Sequence, residues 1–317
     1  MKKIASLLAF MFLLNSCDDG NLTQENIDFE TYNTQKCANN NIIYKINDKE
    51  ALLIEIPTTS FGNEPTTKSL TISATSNRVV YRFYNGVVSS DNICETIQPA
   101  TPIVVDQWVA TSGTIEILTS AQIDTSEDGN NSTKITGYSH LITLKNITFS
   151  IKNGEQTFRT LAFGRYITTA TNLPFNFEKL LTKCSSSNQI YDYKSNEAIL
   201  LDIAPSLIVN EVTPPNTPRI GLIGTTTNKL TYRLFTGLLS PDYFCQATTP
   251  TTPTLSQEWI GSEGVSDTSG IIEVTTTTNG TNGFKHTITL KKATLKKGNN
   301  SFTLGDSYLL GELNTTN

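Results

Sequence analysis

Short runs of alternating apolar and polar residues fill most of the chain, and almost no stretch follows the 3.6-residue period of a helix. The runs are rich in Ile, Val, Thr, Phe and Tyr, and Gly, Pro, Asn and Asp separate them, as is typical of β-strands joined by turns. In the first half, strands are predicted at Ile42–Ile46, Ala51–Ile56, Ser69–Thr75, Val79–Tyr84, Val104–Ala110, Thr114–Leu118, Ser139–Phe149 and Thr157–Phe163. In the second half, they are predicted at Ala198–Ile203, Leu230–Phe235, Ile271–Thr276, His286–Leu295 and Ser301–Leu304. One helical turn is compatible with Glu178–Lys183.

The same series of residues occurs twice along the chain, in the same order, which indicates a tandem repeat. The first series is Cys37, Tyr81, Arg82, Asp91, Cys94, Trp108, Glu116 and His140. The second series is Cys184, Tyr232, Arg233, Asp242, Cys245, Trp259, Glu273 and His286. A chain of 317 residues is long enough for two domains, each with its own core. We predict an all-β protein with two tandem repeated antiparallel β-sandwich domains of immunoglobulin-like type, and a small β-barrel is the competing arrangement.

The N-terminus has the features of an export signal. Two lysines precede the apolar run Ile4–Leu14, which is too short to span a bilayer. The run ends in Leu14-Asn15-Ser16-Cys17, which resembles a bacterial lipobox. The resemblance implies a signal peptide that is removed before Cys17 and acyl chains, palmitate among them, that anchor this cysteine in a membrane.

Two aspartates, Asp18 and Asp19, follow the cysteine. They resemble the surface-export signal of flavobacterial-type lipoproteins, whereas in enterobacterial lipoproteins an Asp at this place implies retention at the inner membrane. Frequent Asn, Ile, Lys and Thr are typical of an AT-rich genome and favour the first alternative. We therefore expect a protein that is lipid-anchored in the outer membrane and faces the cell exterior.

These features divide the chain into four segments. Residues 1–16 are the predicted signal peptide, and residues 17–28 are the lipidated cysteine with a polar tether. The first β domain is placed at 29–172 and the second at 173–313. The boundary between them follows a run of small and polar residues.

Four cysteines remain once Cys17 is assigned to lipidation. An exported protein meets an oxidising environment, so these four are expected to form two disulfides, for which three pairings exist. Because each copy must fold as its own unit, the repeat favours Cys37–Cys94 and Cys184–Cys245. A metal or redox pair is the alternative, but the sequence has neither a CxxC motif nor a His near these cysteines.

Composition narrows the range of partners. Charged residues make up 17% of the chain and the net charge is −5, so neither a nucleic acid nor an anionic membrane surface is expected. No apolar stretch after the signal is long enough for a transmembrane helix. The expected partners are the membrane, through the lipid anchor, and a glycan or an outer-membrane protein.

The repeated aromatic residues are expected to be structural. Apolar and polar residues alternate around His286, which places it on the apolar face of a strand, and His140 is expected to lie in the same way. A hydrogen-bonded histidine at the edge of the core is favoured over a catalytic or metal-binding one. Trp108 and Trp259 are expected to pack within the sandwich near the disulfides, and sugar stacking is their alternative role.

Arg82 and Arg233 each follow a tyrosine within a strand. A structural ion pair is the favoured role, and recognition of a ligand carboxylate is the alternative. The expected carboxylate partners are Asp91, Glu116, Asp242 and Glu273.

Asp124, Ser126 and Asp128, followed by a glycine, resemble the start of a calcium-binding loop. The pattern then departs from that of the loop, because Ile135 stands where the closing bidentate Glu belongs. The second copy has Thr275–Gly283 here, without a carboxylate. A solvated hairpin loop is the favoured interpretation, and no metal or other cofactor is predicted.

The sequence contains no nucleophile elbow, no phosphate-binding glycine loop and no paired-carboxylate signature, so an enzyme is not the expected class. The leading expectation is a non-enzymatic binding or interaction module for a glycan or an envelope protein, with its contacts in loops at the sandwich ends. One alternative is a polysaccharide-acting enzyme with two carboxylates in a cleft between the domains. The other is a structural or adhesin spacer.

Overall fold

The computed structural model describes residues 27–316, which fold almost entirely into β-strands. The first copy contains β1 (Gln35–Lys36), β2 (Ile42–Asn47), β3 (Glu50–Glu55), β4 (Thr66–Thr71), β5 (Arg78–Tyr84), β6 (Val104–Thr125), β7 (Thr133–Ile151) and β8 (Gly154–Thr169). The second copy contains β9 (Leu180–Lys183), β10 (Gln189–Lys194), β11 (Glu197–Asp202), β12 (Arg219–Leu222), β13 (Lys229–Phe235), β14 (Leu255–Gly261), β15 (Ile271–Thr278), β16 (Gly283–Lys291), β17 (Thr294–Lys297), β18 (Asn300–Thr303) and β19 (Tyr308–Thr316). The prediction of two all-β, sandwich-like domains is confirmed.

Helical structure within the described residues is limited to single turns. These are one α-helical turn, α1 (Asp91–Cys94), and 3-10 turns at Thr58–Ser60, Pro205–Leu207 and Pro241–Tyr243. None of them has the length and hydropathy needed to cross a membrane.

Each copy forms one curled antiparallel sheet. The strand order in the first copy is β1-β2-β3-β5-β6-β7-β8, and β4 pairs with β6 beside β5. The order in the second copy is β12-β15-β16-β19-β9-β10-β11-β13-β14-β17-β18, and the contact of β19 with β9 is parallel. Most neighbours in these sheets are consecutive in the chain, and an immunoglobulin-like topology is not confirmed by this order.

The long strand β6 shows how a single sheet makes two layers. Its first half pairs with β5 and its second half with β4, so one strand runs from one layer into the other. The register shifts near Gly113, where φ is +127° and a Cβ would lie 2.8 Å from Ile147 Cα. In the second copy, residues 262–270 interrupt the strand at this place. The two strands predicted between residues 104 and 118 are therefore one bent strand.

The central strands of each copy bury both faces, which accounts for their unbroken apolar runs. On β3, Leu52 and Ile54 face the main core, whereas Ala51 and Leu53 face a smaller cluster beneath the disulfide. Strand β11 divides its side chains in the same way. Each domain thus has a main core between its layers and a second cluster outside one layer.

Both disulfides have the pairing that the repeat predicts, Cys37 with Cys94 and Cys184 with Cys245. Each bridge belongs to the smaller cluster of its domain. The two tryptophans belong to the main cores, on the opposite face of the sheet. Successive residues of a strand point to opposite faces. The expectation that the tryptophans lie near the disulfides was therefore wrong.

The helical turn expected at Glu178–Lys183 was also wrong, because Leu180–Lys183 form strand β9. This strand pairs with β10 on one side and with β19 on the other. A single helical turn gains little by itself. As a strand, the same residues satisfy the backbone groups along two sheet edges.

Candidate ligand cleft between the domains

A cleft of about 600 Å³ lies between the two copies. It is lined by the hairpin between β6 and β7, by the connection that follows β8, and by the region from β18 to β19. Its apolar wall contains the partly exposed Ile135, Leu173, Phe175 and Tyr308 and the buried Phe302 and Leu304. Its polar side includes Asn130, Thr133, Lys134, Thr136, Thr169 and Asn172.

Hydrogen bonds hold the tip of the β6–β7 hairpin, residues 126–132, against the second copy. Asp306 N donates to Asn130 O at 2.7 Å, and Ser307 N donates to Asn130 Oδ1 at 3.0 Å. Asn131 Nδ2 donates to the Asp306 carboxylate at 2.6 Å. This side of the cleft is therefore fixed by contacts between the domains.

A second set of contacts joins the turn between β17 and β18 to the first copy. Asn299 N donates to Glu64 Oε1 at 2.8 Å, and Asn299 Nδ2 donates to Pro65 O at 2.9 Å. Asn300 Nδ2 donates to Asn63 O at 2.8 Å. With two such sets, the cleft is formed before any ligand enters, as is usual for binding sites.

A buried carboxylate fixes the connection that forms the apolar wall. Glu197 is 1% exposed and accepts hydrogen bonds from Phe175 N at 2.9 Å, Asn176 N at 2.8 Å and the Tyr232 hydroxyl at 2.8 Å. The Phe175 ring stacks on the Tyr232 ring, with centroids 4.3 Å apart. Three donors stabilise a buried carboxylate without a cation. Burial, and then the charge of Glu197, raises the pKa of Tyr232 and of Tyr308.

Asp128 is the one carboxylate among the described residues that line the cleft. It accepts hydrogen bonds from Ser126 Oγ at 2.7 Å and from Asn130 N at 2.9 Å. Both hydrogen bonds lower the pKa of Asp128, and the bond from Ser126 has the larger effect. Because the Asn130 amide is already bonded to Ser307 N and Leu304 O, the cleft offers mainly the Asn172 amide and neutral hydroxyl groups beside an aromatic wall. This arrangement suits a polar ligand of low charge.

The residues considered for calcium binding do not form a metal cage. Asp124 lies opposite Lys134 in the β6–β7 ladder, while Ser126 and Asp128 bond to each other in the hairpin tip. Within residues 27–316, no three His, Cys, Asp or Glu side chains are grouped as a metal site requires. The tip is the largely exposed hairpin loop that the sequence predicts, and it also joins the two domains through Asn130 and Asn131.

The histidines are buried and hydrogen-bonded, as predicted. His140 Nδ1 lies 2.9 Å from Thr119 Oγ1, and its Nε2 lies 2.9 Å from Thr168 Oγ1. His286 is held by two threonine hydroxyls in the same way. Desolvation lowers the pKa of both imidazoles. A histidine at the edge of the core is confirmed in each copy.

The tryptophans pack within the domains, and neither offers an exposed face for a sugar ring. Trp108 is 5% exposed and Trp259 is 4% exposed. Trp259 contacts the cleft residue Phe302 edge to face, with centroids 5.0 Å apart. Trp259 therefore supports the wall of the cleft from behind and does not line its aromatic surface.

The repeated arginines bond to residues directly across the sheet. Arg82 Nε donates to Gln107 Oε1 at 2.8 Å, and Arg233 Nε donates to Glu258 Oε2 at 2.7 Å. Each partner is the cross-strand neighbour of its arginine, which makes the contact short and local. This finding corrects the expected partners, which were Asp91, Glu116, Asp242 and Glu273.

Sequence reasoning did not single out Glu197, Phe175 or Tyr308. A signal for the first was present, because Glu50 and Glu197 stand at the same place before an apolar run in both copies. The aromatic wall had no such signal, since the second copy alone supplies it. Cys17, the predicted lipidation site, lies outside the described residues.

No protein-family model, no curated protein and no solved structure matches this chain. Its function is therefore inferred from the chemistry of the cleft and of the N-terminus.

Proposed function

We propose that the protein is a lipid-anchored, non-enzymatic binding protein on the outer face of a bacterial outer membrane, and that its interdomain cleft binds a glycan. The observation that carries this proposal is the composition of the cleft, which sets an aromatic wall beside amide and hydroxyl groups. A sugar ring presents apolar C–H faces and a rim of hydroxyls, so each part of the cleft has a counterpart on such a ligand.

The size and place of the cleft support the same proposal. Its volume of about 600 Å³ falls within the roughly 300–1,000 Å³ of small-ligand sites. Junctions between domains are common places for such sites. From the sequence, loops at the ends of the domains were expected to contact the ligand. We propose instead that the residues of the cleft between the domains make these contacts.

The anchor rests on the lipobox-like segment that ends at Cys17. Two disulfides within the domains fit export to an oxidising compartment. More than one acyl chain is needed for stable membrane attachment. Such an anchor would hold the cleft close to the polysaccharides of the cell surface.

Binding without hydrolysis is better supported than catalysis. Glycosidases of the common type use two carboxylates about 5–10 Å apart. Among the described residues that line the cleft, Asp128 is the one carboxylate, and it is hydrogen-bonded within its own loop. An envelope protein as the partner, and a role as a spacer, remain the alternatives that the following experiment separates.

The proposal is tested by calorimetric titration of the purified protein with oligosaccharides cut from the surface polysaccharides of its host. Thr169→Trp places an indole at the rim of the cleft and should abolish binding. Asn172→Ala removes an exposed amide and should weaken binding about tenfold, as expected for the loss of a good hydrogen bond.

Thr160→Trp is the matched control, because Thr160 is an exposed residue of the same strand outside the cleft. It should bind as the unchanged protein does. Equal affinity of the Thr169→Trp and Thr160→Trp variants would refute the cleft as the site. A second measurement purifies the lipidated protein from gently solubilised envelopes of its host. Stoichiometric recovery of an envelope protein, together with no glycan binding in the titration, would make protein interaction the function. If neither glycan binding nor a protein partner were found, a role as a spacer would be the remaining alternative.

A further inference from the structure

One end of the first copy exposes several large apolar side chains. Val87 is 70% exposed, Ile97 is 91% exposed, Ile103 is 53% exposed and Val105 is 59% exposed. We refer to these four residues as the apolar tip. Single exposed apolar residues are ordinary, but a group of them indicates a contact surface.

Hydrogen bonds bring the two main segments of the apolar tip together. Asn85 N donates to Ile103 O at 3.1 Å, and Ile103 N donates to Asn85 Oδ1 at 3.0 Å. A Cβ on Gly86 would lie 3.4 Å from the Pro102 Cβ. Val87 and Ile103 therefore belong to one surface, and Ile97 lies in the loop that leads to it.

The described chain begins at the same end of the domain. Lys45 Nζ donates to Phe29 O at 2.7 Å, which ties the entering segment to β2. Strand β2 turns into β3 at Asp48, and Asp48 O accepts from Val88 N at 2.9 Å. The entry of the chain and the apolar tip thus flank one turn.

We propose that the apolar tip contacts the acyl region of the membrane in which Cys17 is anchored. This inference rests on the proposed lipidation of Cys17. Nine residues, 18–26, separate that cysteine from Ile27, and even a fully extended segment of this length spans only about 30 Å. The first copy is therefore held close to the bilayer, which favours the membrane over a second copy or another protein as the occupant.

The charges around the apolar tip define the kind of contact. Asp48, Asp91 and Glu95 are exposed on neighbouring segments, with Lys49 as a cation among them. A surface of this kind gains nothing from anionic lipids. The contact is apolar, so we expect it in zwitterionic vesicles and at high salt, where electrostatic binding is screened.

The second copy supplies a matched control position. Leu238 follows Gly237 as Val87 follows Gly86, and it is 78% exposed. It belongs to the domain that is joined to the anchor only through the first copy. The two side chains are therefore exposed to a similar extent, and they differ in the number of residues that separate them from Cys17.

The experiment uses the full-length lipidated protein in phosphatidylcholine vesicles with brominated acyl chains. Tryptophan replaces Val87 in one variant and Leu238 in another, while both native tryptophans are buried and give a constant background. Interfacial indoles are quenched by bromine within the bilayer. The added tryptophan of Val87→Trp should lose emission, and that of Leu238→Trp should not.

Flotation of the same vesicles tests the anchor separately, because an anchored protein floats together with the vesicles. The Cys17→Ala variant should not float with them. Flotation with selective quenching of the Val87→Trp variant supports the inference. Flotation with no quenching, or with equal quenching of both variants, overturns the membrane contact and leaves the anchor in place. A protein that fails to float overturns the anchor and the membrane contact together.

Discussion

At the scale of single residues, equivalent positions in the two copies perform one task with different chemistry. Lys45 is 2% exposed, and its Nζ donates to Phe29 O at 2.7 Å. Asp192, at the same position of β10, is 5% exposed, and its Oδ2 accepts from Lys179 N at 2.6 Å. Desolvation lowers the pKa of Lys45 and raises that of Asp192. In both copies, a buried polar side chain at this position ties the entering segment to the sheet.

Glu197 is expected to be the most sensitive polar residue of the second domain. Glu197→Ala leaves two backbone N–H groups and the Tyr232 hydroxyl without their acceptor. We expect a loss of about 3 kcal/mol in the free energy of unfolding, measured by urea denaturation. Glu50→Ala is the matched control, because Glu50 accepts from Tyr81 at 2.6 Å but is only partly buried. It should cost about 1 kcal/mol, and equal losses would contradict this account.

The buried histidines make the stability of the protein depend on pH. Desolvation lowers the pKa of His140 and His286 in the folded state, so the unfolded chain binds protons first as the pH falls. The contribution of the two histidines to the free energy of unfolding is therefore fully present above about pH 6.5. Below that pH the free energy of unfolding declines by at most about 1.4 kcal/mol per pH unit for each histidine. The decline stops once the folded imidazoles also protonate.

Urea denaturation between about pH 7.5 and pH 5.5 measures this decline, because carboxylates titrate largely below that range. The double variant His140→Gln and His286→Gln should flatten the slope. The chain has only these two histidines, so their NMR titration is simple to assign. A pKa at or above the ordinary value for either imidazole would contradict the prediction.

At the scale of elements, the sequence predicts most strands of the first copy and about half of those of the second, where β10, β12, β14 and β19 are not among the predicted strands. Strands β3 and β11 were found because their apolar runs serve two cores at once. Strand β9 was missed, because its four residues acquire strand structure only from the two edges beside them. The bend in β6 was missed for a related reason, since it depends on the close approach of Gly113 to Ile147. A local pattern of apolar and polar residues does not predict contacts between segments that are distant in the chain.

The disulfides are testable at the same scale. Mass mapping under non-reducing conditions should find Cys37 joined to Cys94 and Cys184 joined to Cys245. Closing loops of 57 and 61 residues should stabilise each domain by about 4 kcal/mol in the chain-entropy model. Replacing both cysteines of one bridge by alanine should lower the unfolding free energy of that domain alone. A bridge between the copies, such as Cys37 to Cys184, would overturn the two-domain interpretation.

At the scale of the whole molecule, the two domains are joined by hydrogen bonds that neither copy could form alone. Gly305 has φ +96°, and a Cβ there would lie 2.5 Å from Asn130 O. Gly305→Ala should therefore separate the hairpin tip from the second copy, and small-angle scattering should show a larger radius of gyration. Gly280→Ala is the matched control, because Gly280 also has a positive φ, +71°, but nothing within 4 Å. Equal scattering from both variants would contradict a fixed junction.

The sequence could not predict the cleft, although it predicted both domains that form it. The cleft combines the first copy's hairpin with Phe175 and Tyr308 of the second copy, where the first copy has Ile27 and Leu161 at the corresponding positions. A repeat describes what the copies share, whereas a site at their junction depends on where they differ. The expected binding function could therefore be stated from the sequence, and its location could not.

The most direct test of the central claim is hydrogen–deuterium exchange of the lipidated protein with and without surface oligosaccharides from its own host. The account predicts slower exchange in residues 130–136, 169–175 and 302–308, which line the cleft. It predicts no change at the matched hairpin tip of the second copy, residues 279–282. Protection at that tip, or no protection of the cleft at saturating ligand, would contradict a glycan site between the domains.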